Sequence, residues 1–174
     1  MVSWKGGLAL LVVLAALVLY IVVSGRRQAP PPSVALIPCS PVETVAVTVT
    51  GPNGATAMER ADNRSEWQIV SPAAAPAAQD RVDNLISAID SVRVLNTLPS
   101  PPAEADTGFA RPRLTVSCRV AAGASYTLTV GNQNFDGSGY YAHKGGDNRV
   151  YVVSGIEVDA FDRVLQSPPV KPIP

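Results

Sequence analysis

Three side chains of this sequence are the formal candidates for a nucleophile and its base, and one of them limits the other two. His143 is the only histidine. A serine or cysteine nucleophile needs an adjacent base, so Ser138 or Cys118 would have to use that ring. Neither has a nucleophile-elbow or papain-like context. The plainer role for His143 is that of a strand residue beside a turn. With one histidine and only two cysteines, no zinc ligand set is present. Asn132-x-Asn134-x-Asp136-Gly137 has the outline of a calcium loop, but its twelfth position is His143 where a bidentate glutamate is required. The asparagines and glycines there suit turns instead. There is no phosphate-cradling glycine loop with its lysine and no dinucleotide fingerprint. The sequence therefore calls for no cofactor and no metal, and a non-enzymatic role is expected, with a hydrolase built on His143 as the rival.

Recognition chemistry is better represented. Tyr140, Tyr141 and Tyr151 fall on two strands expected to pair, and Asn134 and Asp136 lie in the loop just before them. Aromatic residues are enriched where partners bind, so these five residues form a candidate recognition surface for a protein, or alternatively for a small molecule or glycan. Core packing is the competing use of the tyrosines. Cys39 and Cys118 are a candidate disulfide if the domain is exported; otherwise Cys118, on the apolar face of its strand, is a small buried hydrophobe.

The elements that must position these residues read as α+β, with a mostly antiparallel β domain and two amphipathic helices. Val45, Val47 and Val49 alternate with small polar residues, predicting a half-buried strand. Gly51-Pro52-Asn53-Gly54 turns the chain into a return strand over 55–60, and a third strand covers 66–70 with Trp67 and Ile69 on one face. From Gln79 to Val92 the period becomes helical, with Val82, Leu85, Ile86, Ile89 and Val92 in one stripe. Short strands follow at 92–98, 114–120 and 126–130, then a hairpin of 140–143 with 149–153 after the loop 131–139. Ser154-Gly155-Ile156-Glu157 reads as a capping box opening a helix with Ile156, Phe161, Val164 and Leu165 on its apolar side. Both halves end a strand in serine (Ser71, Ser154) before a helix, the outline of an internal duplication.

The amino-terminal run from Leu8 to Val23 is uncharged and free of helix breakers. With its flanks it approaches the roughly 20 residues that cross a bilayer. The division expected is a transmembrane anchor with flanks at 1–27, a proline-rich linker at 28–41, an exported domain at 42–166 and a proline-rich tail at 167–174. A cleaved signal peptide, with Val22 and Ser24 before the cut, is the alternative. Against it stand the length of the apolar run and the arginines just beyond it. Lys5 and the amino terminus nearly balance Arg26 and Arg27, so charge alone does not orient the span. The short tail is the part expected to stay in the cytoplasm. The exported portion then holds eleven of the fourteen basic residues and all fourteen acidic ones, a formal charge of −3. That argues against nucleic acid and anionic lipid surfaces as partners. A single-pass protein of the cytoplasmic membrane, with its domain outside and a membrane-protein partner, is the expectation.

In order along the chain come Trp67-x-Ile69-x-x-Pro72, Val82-x-x-Leu85-Ile86, Gly108-Phe109-x-x-Pro112, Val130-Gly131, Tyr140-Tyr141 and Val150-Tyr151-Val152-Val153. In these pieces, and in its succession of membrane helix, linker and one exported α+β unit, the chain resembles the family called domain of unknown function 4340. The family usually has leucine where Phe109 stands, and often an aspartate at the place of Ala78, where it would cap a helix. The resemblance implies a bacterial envelope protein, with some relatives auxiliary to ABC-type transport or gliding motility. It brings no established activity and no catalytic residues.

Overall fold

The computed structural model describes Leu14 and residues 35–100 and 102–172. Of the span expected from Leu8 to Val23, only Leu14 is among them. No helix among the described residues is long and apolar enough to cross a membrane.

Among the described residues of 35–172 there are nine strands and three helices. They follow as β1 (Thr44–Gly51), β2 (Gly54–Glu59), β3 (Gln68–Ser71), β4 (Ala75–Pro76), α1 (Gln79–Asp90), β5 (Val94–Leu98), α2 (Glu104–Thr107), β6 (Leu114–Val120), β7 (Ser125–Gln133), β8 (Gly139–Lys144), β9 (Val150–Ser154) and α3 (Gly155–Gln166). One sheet holds all nine strands in the order β4-β3-β2-β1-β6-β7-β8-β9-β5. Every pairing is antiparallel. The fold is therefore α+β, as the alternating runs and the two helical stripes predict.

The sheet has two meanders that run outward from the central β1–β6 pair, and each leads into a long helix. That arrangement is what a duplication would leave. The serines do not match in role, however: Ser154 caps α3, whereas Ser71 lies eight residues before α1 and bonds the Ala55 carbonyl.

One face of the sheet carries the core. Val47 and Val49 of β1, Val116 and Cys118 of β6 and Leu128 and Val130 of β7 lie in register there. The buried stripes Val82-Leu85-Ile86-Ile89 of α1 and Val158-Phe161 of α3 join the same cluster. Ile156 was expected in the α3 stripe but is 67% exposed, and Val158 takes the buried position two residues on. The capping box is half formed. Ser154 Oγ accepts from Ile156 N, but Ser154 N–H already donates to the Arg93 carbonyl, so Glu157 has no free N–H to reach back to.

The packed unit begins earlier than Val42. Leu36, Ile37 and Cys39 are buried in the same core, Cys39 N donates to Asp90 Oδ1 of α1, and Cys39 is joined to Cys118 by a disulfide. At the other end, the proline-rich tail lies along β4: Ala78 N donates to Pro169 O and Lys171 N to Pro76 O. This edge is thus closed by a proline and a covering segment, two usual protections of an edge strand. β5, at the opposite edge, has no strand beyond it among the described residues.

Candidate functional site

The face away from the long helices has two characters. Over β1, β6 and β7 it is polar, with Thr48, Thr115, Ser117, Thr127 and Thr129 half-buried. Over β8, β9 and β5 it turns apolar. Tyr141, Val150 and Val152 are buried there, with Leu98 and Phe109 against them.

The connection from β5 to β6 crosses this face and covers part of it. Gly131 of β7 leaves room for it: a Cβ there would strike the Thr107 carbonyl and stand 3.1 Å from Phe109 Cδ1. The neighbouring Asn132 donates through Nδ2 to the Asp106 carbonyl at 3.1 Å. The Phe109 ring then rests beside His143, centroids 5.9 Å apart.

What the crossover leaves open is a groove of about 310 Å³ between β5 and the β7–β8 loop. Leu95, Leu98, Tyr141 and Val152 supply its apolar surface, and Asn96, Asn134, Asp136 and Ser138 its polar one. Leu95 is placed by the register shift in β5 between Val94 and Asn96, since an extra residue re-aims a side chain. It reaches Gly139, where a Cβ would sit 3.1 Å from Leu95 Cδ1.

The loop wall is tightly specified. Asn134 is buried; its Oδ1 accepts from Gly139 N at 3.0 Å and its Nδ2 donates to Ser138 Oγ at 3.0 Å. Gly137 takes a φ of +75° that a side chain would strain. Asp136 Oδ1 accepts from Ser138 N, and the hydrogen bonds from Ser138, hydroxyl first, hold its carboxyl below the usual carboxylate range. Phe135, at the tip, is 94% exposed.

The five expected recognition residues therefore separate. Tyr141, Asn134 and Asp136 come together in the groove. Tyr140 and Tyr151 do not, because successive strand residues point to opposite faces. Both lie on the helix-covered side and pack on the main core. The Arg113 guanidinium stands 5.2 Å from the Tyr140 ring centroid and also pairs with Asp162 of α3. Tyr151 is buried and donates to Asp147 Oδ2 at 2.6 Å; burial first, then that bond, pushes its phenol up.

Of the three candidates for nucleophilic chemistry, Cys118 is held in the disulfide, Ser138 binds Asn134, and His143 makes no side-chain hydrogen bond among the described residues. Asn132, Asn134 and Asp136 each serve a different local contact. Among the described residues no cluster of three or more histidines, cysteines, aspartates or glutamates is placed to hold a metal.

The sequence reading missed Leu95, Leu98, Val152 and Phe135. A signal existed for Phe135, a large aromatic within an otherwise polar turn, Asn134-Phe135-Asp136-Gly137. No local pattern announces the others, because they meet only through the β5–β9 and β8–β9 pairings.

A one-sided antiparallel sheet with a crossover on its open face defines the class of domain. The family model described as a domain of unknown function (DUF4340) matches residues 67–167, and the chain belongs to that family. Its matched portion includes both the Gly108-Phe109 crossover and the Val130-Gly131 strand it rests on. No curated protein and no solved structure matches the chain.

Proposed function

We propose that this chain is a single-pass membrane-anchored interaction protein, held to the bilayer through Leu8–Val23 with its domain outside the cytoplasm. In this reading it serves as an accessory subunit of an envelope complex, one of ABC-type transport being a candidate. The observation that carries the interaction reading is Phe135, fully presented at the rim of a groove with an apolar floor, beside the edge strand β5. Exposed apolar surface of this kind, rimmed by polar groups, marks sites of association.

The test is capture of the full-length chain, tagged at its carboxyl end, from native membranes in gentle detergent, beside a chain starting at Pro30. A stoichiometric membrane partner recovered with the anchored chain and lost on Phe135→Ala supports the reading. If neither chain retains any partner, the reading is removed. A second reading is a small-molecule or glycan site, favoured by the groove's volume, which is at the lower end of ligand pockets, and by Asn96, Asn134 and Asp136 along it. A ligand that raises the melting temperature of the wild type but not of Asp136→Ala would select that reading.

A further inference from the structure

We infer that Asn53 is a self-modifying site. Its side-chain amide is lost as ammonia through attack by the backbone nitrogen of Gly54, leaving aspartate or isoaspartate in the β1–β2 turn. The reaction asks three things of a folded chain: an asparagine followed by glycine, a side chain free to swing onto the next nitrogen, and access to water. Asn53 is the one asparagine of the chain that precedes a glycine. Both residues are exposed. Asn53 makes no side-chain hydrogen bond among the described residues. Nothing lies within 4 Å of where a Cβ of Gly54 would stand, so no neighbour crowds the approach.

The conversion is a hydrolysis. The Gly54 nitrogen bonds to Asn53 Cγ, the Cγ–Nδ2 bond breaks, and ammonia leaves with the proton that the Gly54 nitrogen gives up. Water then opens the five-membered imide at either carbonyl. Opening at the side-chain carbonyl restores the ordinary backbone with a carboxylate on it. Opening at the backbone carbonyl routes the chain through the side chain and lengthens it by a methylene. Water is the only co-reactant.

The structure singles out this position. Asp136 also precedes a glycine, but its carboxyl is engaged, Oδ1 accepting from Ser138 N at 2.8 Å. Asn132 and Asn134 are bonded as well, and larger residues follow them. What restrains Asn53 is the Gly51–Gly54 pair that ends the β1–β2 ladder, and the ends of such ladders open at little cost. The product bears on α3. Asn53 lines a hollow of about 310 Å³ with Thr56, Asp162 and Gln166, so a second carboxylate joins Asp162 there. The added methylene lengthens the tip between Gly51 and Gly54, and Gly51 has no slack: a Cβ on it would stand 2.7 Å from Leu165 Cδ1. The modified turn therefore loosens the seat of α3 on β1.

The experiment ages the full-length chain in detergent micelles at mildly acidic and mildly alkaline pH. Every asparagine is followed by peptide mass mapping, with synthetic standards to separate aspartate from isoaspartate. Asn53 is expected to convert at least tenfold faster than any other asparagine, with both products present. The rate should rise at the alkaline pH, because the attacking nitrogen must lose its proton. Asn53→Gln, whose extra methylene demands a six-membered ring, should stay unconverted at position 53 and keep its melting temperature on ageing, while the aged wild type melts lower than the fresh protein. An Asn53 that converts in urea but not in the folded chain would show that the Gly51–Gly54 pair seals the turn, and overturns the inference. Conversion at Asn53 no faster than at the other asparagines also overturns it.

Discussion

The α-hydrogen side of Gly131 faces the carbonyl oxygen of Thr107, so close that no Cβ fits between them. This contact seats the β5–β6 crossover on β7 and ties the Gly108-Phe109 segment to Val130-Gly131. The obstacle is backbone, which cannot rotate away as a side chain tip does. Gly131→Ala should therefore lift the crossover and cost about 1–3 kcal/mol, the range for overpacking. The check is a denaturant titration, with the fluorescence of Trp67, remote in sequence from the crossover, as one probe. An unchanged midpoint would show that the crossover yields freely.

Gln79 fixes the start of α1 by an unusual route. Ala78 at the N-cap offers no side-chain bond. Instead Gln79 Oε1 accepts from Trp67 N at 2.7 Å, and its Nε2 donates to the Trp67 and Ala77 carbonyls. The amide thus serves as a strand neighbour for the β3–β4 edge. Gln79→Ala should cost about 1–3 kcal/mol through unpaired backbone groups. Gln79→Glu should be worse at neutral pH, since it points a carboxylate oxygen at two carbonyls, and should recover as that carboxylate is protonated. Urea midpoints at pH 7 and pH 4 separate the two variants.

The central strands and the two long helices were legible because half-burial writes its period into the residues. Val47-Val49, Leu114-Val116-Cys118 and the α1 stripe all show it. Ile156 misled because, at about 3.6 residues per turn, it stands on the side of α3 opposite Phe161 and Leu165, whereas Val158 shares their side. The groove was legible only in part. Alternation separates Tyr141 from Tyr140 and Tyr151, but which side is open depends on where the helices pack, and that is decided by residues distant in sequence. The role of 36–39 was hidden by the neighbouring prolines, whose composition resembles linker even where Ile37 and Cys39 are buried.

The Cys39–Cys118 bridge closes a loop of sequence separation 79 onto β6. In the chain-entropy account such a loop contributes about 4–5 kcal/mol, an upper figure because the reduced chain keeps residual structure. Replacing both cysteines with serine should lower the thermal midpoint and free residues 36–39 from the core. Hydrogen exchange at Ile37 and Cys39, compared with and without reductant, reads the release; protection equal in both states would mean the apolar contacts suffice.

Asp147 organises the β8–β9 turn. Its carboxylate accepts from Arg149 and from the Tyr151 hydroxyl, and those bonds, Arg149 first, hold it well below the usual carboxylate range. A group depressed on folding contributes stability that is complete above its unfolded value of about 3.9 and fades as the pH falls toward its folded value. Stability should therefore decline below about pH 4. Asp147→Asn should flatten that part of the curve while lowering the plateau at neutral pH. Matching slopes in the two proteins would assign the acid loss to other carboxylates.

Asn134 and Phe135 are adjacent but answer to different forces, and that gives a paired prediction. Asn134→Ala strips the partner from the Gly139 N–H in a buried setting and should cost about 1–3 kcal/mol. It should also displace the groove wall, since Ser138 loses its tether. Phe135→Ala removes a side chain that is 94% exposed and should leave the melting temperature within a degree or two. Both should weaken whatever the groove binds, one by misplacing the wall and the other by deleting the knob. Thermal melts and the capture assay on the same two proteins make the comparison. If Phe135→Ala destabilises the fold as much as Asn134→Ala does, the ring packs within its own chain and is not presented to a partner.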